Sequence, residues 1–301
     1  MQGRSERHHY IPQFWISRWG DERGFVKRYR KFGAKLDVLS KSPKSVGYFD
    51  RLYDLPEGMR QDTSLEELFF KPLDDRTSKV FNLLDNHPQP HLSGEETATL
   101  AIFIISLLHR GPDSLVAAKV AGSEHFEVAR REVRQRYAEL REEGDPATFE
   151  EFEAEEAYNA ADHAFYRSFV KLMVNENVID FMARMHWRKV TRDSVAPSLL
   201  LSDDPLLRTN GFAKADGHFA FPLSPEAMIL AFYEEEFASE VMRQSVKQLF
   251  VSMNMQTVGA ARHFVVARDE KQTRFIRNRF GLTPRPPFGE QMQGRAGKGP
   301  N

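Results

Sequence analysis

The stretch from Ser93 to Pro112 constrains the fold most. Ser93-Gly94-Glu95-Glu96 has the form of a helix N-terminus in which the first and fourth side chains take up free backbone N–H groups. Beyond that first turn, residues 97–108 are almost wholly apolar, and Gly111-Pro112 provide a stop. A helix that is apolar all round has no solvent face, so the rest of the chain has to surround it. Its run from Leu100 to Leu108, broken only by Ser106, is about half of the roughly 20 residues that a bilayer crossing needs. The helix therefore reads as the centre of a soluble core. It ends at Arg110, and a guanidinium at a buried helix end needs either a carboxylate partner or an anion in a cleft.

The N-terminal stretch Arg7-His8-His9-Tyr10-Ile11-Pro12-Gln13-Phe14-Trp15, followed closely by Ile16 and Trp19, is too rich in large apolar side chains for a solvated leader. Residues 7–19 are expected to dock into the core, with one of the two histidines facing a site, because neighbours on a strand point to opposite sides. Residues 25–32, 36–40 and 46–53 read as short strands of a small antiparallel sheet. A helix starts near residue 63, where Thr63-Ser64-Leu65-Glu66-Glu67 offers two overlapping capping boxes. Pro72 should interrupt it, with a new helix over 73–84. Helices over 113–142 and 156–187, joined through the acidic turn at Gly144-Asp145-Pro146, predict a helical hairpin inserted at about 113–187. Ser198 to Leu201 reads as a buried strand ending at Ser202-Asp203-Asp204-Pro205, with further strands at 219–223, 227–232 and 264–266. Residues 234–248 look helical, and Asn254 lies in the segment leading to the last strand. The tail from 285 to 301, rich in Pro, Gly and Gln, is expected to be disordered.

These elements predict an α+β fold: one domain over 1–284, with a small mixed or antiparallel sheet built from the N-terminal region and residues 198–268, and a largely helical middle. Pairing its distant parts is expected to bring His8 and His9 near Asp203 and Asn254.

Composition narrows the chemistry. The 301 residues include no cysteine, which excludes disulfides, thiolate metal sites and a cysteine nucleophile, and fits a cytoplasmic protein. The net charge of −1 is unevenly spread: residues 1–60 hold 13 Lys and Arg against 7 Asp and Glu, and residues 268–301 hold 8 against 3. Basic ends of this kind could meet nucleic acid, while no membrane association is expected. Nucleotide-binding glycine loops, a G-x-S-x-G elbow and an H-E-x-x-H helix are all missing from the sequence.

Taken in order, the motifs resemble the bacterial DUF4238 family, a domain of unknown function. The resemblance rests on His8-His9-Tyr10-Ile11-Pro12-Gln13-Phe14, on Arg110 shortly before Pro112, on Ser202-Asp203-Asp204-Pro205, on Pro222-Leu223-Ser224-Pro225, and on the late Asn254. Asp204 stands where the family usually has Asn, and Asp75 is the acid nearest to a Glu that the family carries in the helix after Pro72. The resemblance implies a site map without a reaction. On that map His9, Asp203, Arg110 and Asn254 are the expected catalytic residues, and His8, Gln13 and Ser224 the expected substrate contacts. Asp203 and Asp204 would hold a divalent cation, Mg or Mn by their oxygen chemistry. The leading expectation is a metal-dependent hydrolase acting on phosphodiesters, a nuclease in defence against mobile DNA, with His9 as base and Arg110 on phosphate. The rival expectation is a non-enzymatic sensor that binds a small molecule or nucleotide.

Overall fold

The computed structural model describes residues 7–54, 64–87, 92–142, 144–156, 160–209 and 213–285. Thr63 and the tail beyond 285 lie outside them. The N-terminal arm is docked as its aromatics predict. Strand β1 (Arg7–His9) leads through Pro12 into the one-turn helix α1 (Gln13–Ile16). Trp15 and Trp19 are fully buried, and their indole N–H groups donate to the carbonyls of Pro222 and Leu199 at 2.8 and 2.7 Å. Two large rings are thus buried with their single polar atoms satisfied, which removes the usual penalty for enclosing an indole.

Strands β2 (Val26–Phe32), β3 (Lys35–Lys41) and β4 (Tyr48–Asp50) follow, close to the predicted positions. A π-helical turn, Glu66–Phe70, runs directly into α2 (Lys71–Asn86). The expected break at Pro72 does not occur. Pro72 falls in the first turn of α2, directly after the π turn, and the helical run passes through it. Helix α3 (Gly94–His109) begins with the predicted capping box between Ser93 and Glu96, and its apolar residues are buried on nearly all sides.

Helix α4 (Pro112–Leu140) is as long as predicted, but the return segment is divided into α5 (Phe149–Glu156), α6 (Ala160–Met173) and α7 (Glu176–Ala183), followed by an unanticipated strand, β5 (His186–Thr191). Asn175 breaks the helical run by capping α7: its side chain accepts from the Val178 N–H. The chain continues through β6 (Leu201–Ser202), β7 (Leu207–Arg208), β8 (His218–Ser224), β9 (Ala227–Phe232), α8 (Glu235–Val241), α9 (Val246–Ala260), β10 (Val265–Ala267) and α10 (Thr273–Arg279). Ser245 splits the helix expected over 234–248 by starting α9 with a capping box of its own, and Asn254 sits inside that helix.

The fold is α+β, and its described strands form three antiparallel sheets: β1-β4, β3-β2-β10-β6 and β5-β9-β8-β7. The second of these joins N-terminal strands to β6 and β10, the long-range pairing that the strand pattern implied. In the third, β9 is buried along its whole length. Its alternate residues Ile229 and Ala231 face the main core around α3, while Leu230 and Phe232 face a second core under α8 and α9. The main core is fastened by Trp15, Phe81, Phe103 and Phe221, whose ring centroids lie 5.5 to 6.0 Å apart, the spacing of attractive aromatic contacts. Among the described residues no single helix is long and apolar enough to cross a membrane.

Candidate active site

Arg110 anchors the region. It is fully buried, yet four of its five N–H donors are engaged. Its Nε donates to the Tyr10 carbonyl at 2.9 Å and its Nη2 to the His9 carbonyl at 3.1 Å. Two further bonds, at 2.9 and 3.1 Å, form a bidentate pair with Asp74. The guanidinium also lies over the Phe70 ring, and the Arg110 carbonyl accepts from the Tyr53 hydroxyl. Burial works against the charge, but Asp74 together with Tyr53 and Glu66 raises the pKa of Arg110 overall. The expected phosphate-binding role is therefore corrected: this guanidinium is spent on Asp74 and on the backbone of the H-H-Y motif. Asp74, and not the exposed Asp75, is its acid.

The two histidines diverge. His8 is fully buried, stacks on Tyr53 and accepts the Tyr53 backbone N–H at its Nδ1 at 2.8 Å. It is a packed core residue and does not line the cleft that His9 enters. His9 lines a cleft of about 300 Å³ together with Arg7, Lys44, Glu66, Glu67 and Lys71. Its Nε2 is buried with no hydrogen-bond partner. Burial, reinforced by Arg110, lowers its pKa from 6.5 to about 4, while hydrogen bonding to the Lys44 carbonyl opposes the shift. At neutral pH His9 is thus an uncharged imidazole.

Glu66, on the same cleft, completes the pair. The π turn has a wider ring of backbone than an α turn, and such turns recur at functional sites. Here it carries a carboxylate inward at a position whose sequence reads as a cap. Burial raises the Glu66 pKa from 4.5 to about 7, against the pull of Arg110 and of the His9 backbone N–H. Its Oε2 is buried and unpartnered. The cleft therefore brings together a neutral acceptor, an acid poised near neutrality and three cationic side chains.

The other expected site residues lie elsewhere. Asp203 and Tyr10 line a separate cavity of about 60 Å³, because Tyr10 points to the opposite side of the arm from His9. Asp203 is half-buried and accepts the backbone N–H groups of Arg262, His263 and Phe264 at 3.0 to 3.2 Å, which ties the α9–β10 turn to the end of β6. Asp204 pairs with Arg285 at 3.3 Å. These carboxylates do not fit a Mg or Mn centre: the oxygens of Asp203 are already aimed at N–H donors, and Asp204 is held by a cation. Among the described residues, no group of three or more His, Asp or Glu side chains could hold a metal ion.

Asn254 is buried behind β6. Its amide accepts the Leu200 N–H and donates to the Ser198 carbonyl, both at 2.9 Å, in place of a neighbouring strand. This is why the strand predicted from Ser198 shrinks to Leu201–Ser202. Asn254 does not meet His9, and the convergence expected of His8, His9, Asp203 and Asn254 in one site does not occur. Ser224 takes the Glu226 N–H in the β8–β9 turn at 3.4 Å, and Gln13 is exposed on α1.

Comparison with known families finds one match over residues 7–271, to a protein of unknown function, DUF4238. The chain belongs to the DUF4238 family. No curated protein and no solved structure matches it. Seen on the fold, the motifs that mark this DUF4238 chain are mainly architectural: His8, Arg110, Asp203, Asn254 and the Pro222-to-Pro225 turn fasten distant segments, and His9 alone among them lines the cleft. Glu66, Lys44 and Lys71 carried no signal beyond ordinary capping and surface charge.

Proposed function

We propose that this chain is a hydrolase that cleaves phosphodiesters by general acid–base catalysis in the His9–Glu66 cleft. The observation that carries the reading is the pair of buried, unpartnered polar atoms, His9 Nε2 and Glu66 Oε2, on residues that line one cleft rimmed by Arg7, Lys44 and Lys71. Buried polar groups are nearly always satisfied, and those left open cost stability, so two on one cleft point to a ligand that completes them. The opposite pKa shifts suit a division of labour. His9, neutral above about 4, takes a proton from the attacking water. Glu66, protonated up to about 7, donates one to the leaving oxygen as the P–O bond breaks. Arg7, Lys44 and Lys71 meet the phosphate charge. Arg110 and Asp74 act as positioning residues by holding the His9 backbone.

The test is turnover of a chromogenic phosphodiester by the purified chain. His9→Gln and Glu66→Gln should each lower kcat about 10²- to 10⁴-fold, the usual worth of such groups, while both variants melt cooperatively. The pH profile should form a plateau between the His9 and Glu66 values of about 4 and about 7. Absence of turnover in the unsubstituted chain, or turnover that both variants retain, would overturn the reading.

A further inference from the structure

We infer that the open face of the β2–β3 hairpin binds single-stranded nucleic acid and leads it toward the His9 cleft; this rests on the phosphodiester reading above. The register separates the two faces of the hairpin. Tyr29, Leu36 and Val38 point into the core under α9 and α10. On that side Lys27 pairs with Glu270, and Lys31 donates to the Phe280 carbonyl, so these cations are engaged. Alternation then places Val26, Arg28, Arg30, Phe32, Lys35, Asp37, Leu39 and Lys41 on the opposite face, which is covered by the main core at Val26 and open toward the hairpin end. That face carries four cations against the single acid Asp37, although the whole chain is nearly neutral.

Three features fit a flexible strand of phosphodiesters. Phe32 is 61% exposed at the hairpin end, with the Arg30 guanidinium 6.0 Å from its ring centre. An exposed ring beside cations is the arrangement on which unpaired bases stack. Arg28 is largely buried, yet its Nε has no hydrogen-bond partner among the described residues, and its distance to Asp37 is a long 4.0 Å. A phosphate oxygen would satisfy that donor. Finally, Tyr48 stands beside the cleft residues Arg7 and His9. Arg28 is within electrostatic reach of Tyr48, the Arg7 guanidinium lies 4.9 Å from the Tyr48 ring centre, and the His9 ring lies 5.7 Å from it. On this reading a strand bound at Arg28 would pass Tyr48 on its way to the residue assigned as base.

The experiment measures binding of a fluorescent single-stranded oligonucleotide to the full chain by anisotropy over a range of salt. The unsubstituted chain should bind it more tightly than the matching duplex, with affinity falling as salt rises. Arg30→Glu should weaken binding at least tenfold and lower the salt slope by about 1. Phe32→Ala should weaken it about fivefold or more with the slope retained, since stacking is not ionic. Both variants should melt with the parent and turn over the small chromogenic substrate as it does, because neither residue lines the cleft. No binding at low salt, equal affinity for duplex, or binding that both variants keep would overturn this inference. Loss of the His9–Glu66 reading would appear separately, as oligonucleotide binding without turnover of either substrate.

Discussion

Glu66 and Asp203 are two half-buried carboxylates with raised pKa values, and they are built in opposite ways. Asp203 receives three backbone N–H groups from one turn. Burial raises its pKa, while His263 and those N–H groups pull the other way. Glu66 is served by one backbone N–H, and it keeps an unmet oxygen beside a cleft. A carboxylate saturated by its own chain fastens structure, whereas one left short of donors is available to a ligand. The tandem Asp203-Asp204 looked like the more chemical of the two places, and counting donors reverses that order.

The widest break in this comparison would come from Arg110, which supports the cleft from behind. Arg110→Ala would leave Asp74 and the His9 and Tyr10 carbonyls buried without partners. Stability measured by urea denaturation should fall by about 3–5 kcal/mol, the range for breaking a buried ion pair from one side. A loss below about 1 kcal/mol would mean that the arm is held by its aromatics alone.

Acid–base linkage sharpens the contrast next. Glu66 has a folded-state pKa of about 7 against 4.5, so the folded chain holds its proton more tightly. Its contribution is fully present below about 4.5 and is lost as pH rises through about 7. His9 runs the other way: with a folded value of about 4 against 6.5, it opposes folding as pH falls from 6.5. Between pH 7 and 4.5 the two effects largely cancel. Glu66→Gln removes one side, so on going from pH 7 to 4.5 it should lose about 3 kcal/mol more stability than the parent. His9→Gln should shift in the opposite direction. His109, also buried and held at about 4, remains in both variants and adds acid sensitivity to each. Parallel stability profiles for parent and Glu66→Gln would show that Glu66 titrates as an ordinary surface acid.

The smallest effect expected is at the saturated carboxylate. Asp203→Asn turns one acceptor oxygen into a donor that faces backbone N–H groups, so it should destabilise by about 1–3 kcal/mol. It should leave phosphodiester turnover at its parental level in folded protein. Turnover lost with the melting temperature unchanged would place Asp203 in the chemistry and reverse the comparison.

Local pattern was enough for a good part of this molecule. The all-apolar run after Ser93 determined a buried central helix, and the indoles of Trp15 and Trp19 determined that the arm docks, because neither can be solvated cheaply. Alternation placed β2, β3, β8 and β9, and the S-x-x-E spacing placed the start of α3. What the tertiary structure alone decided is which polar group meets which. Asp74 faces Arg110 and Asp75 faces solvent because of the rotation of α2. Glu66 turns inward because a π turn precedes that helix, although its spacing from Thr63 is that of a cap. Asp203 is satisfied by N–H groups about sixty residues away, and Asn254 by backbone groups more than fifty residues before it. Hydrophobic burial follows from a residue's own side chain and its near neighbours. Satisfaction of a buried charge depends on atoms brought in from far along the chain, and these are in place only once the whole chain has folded.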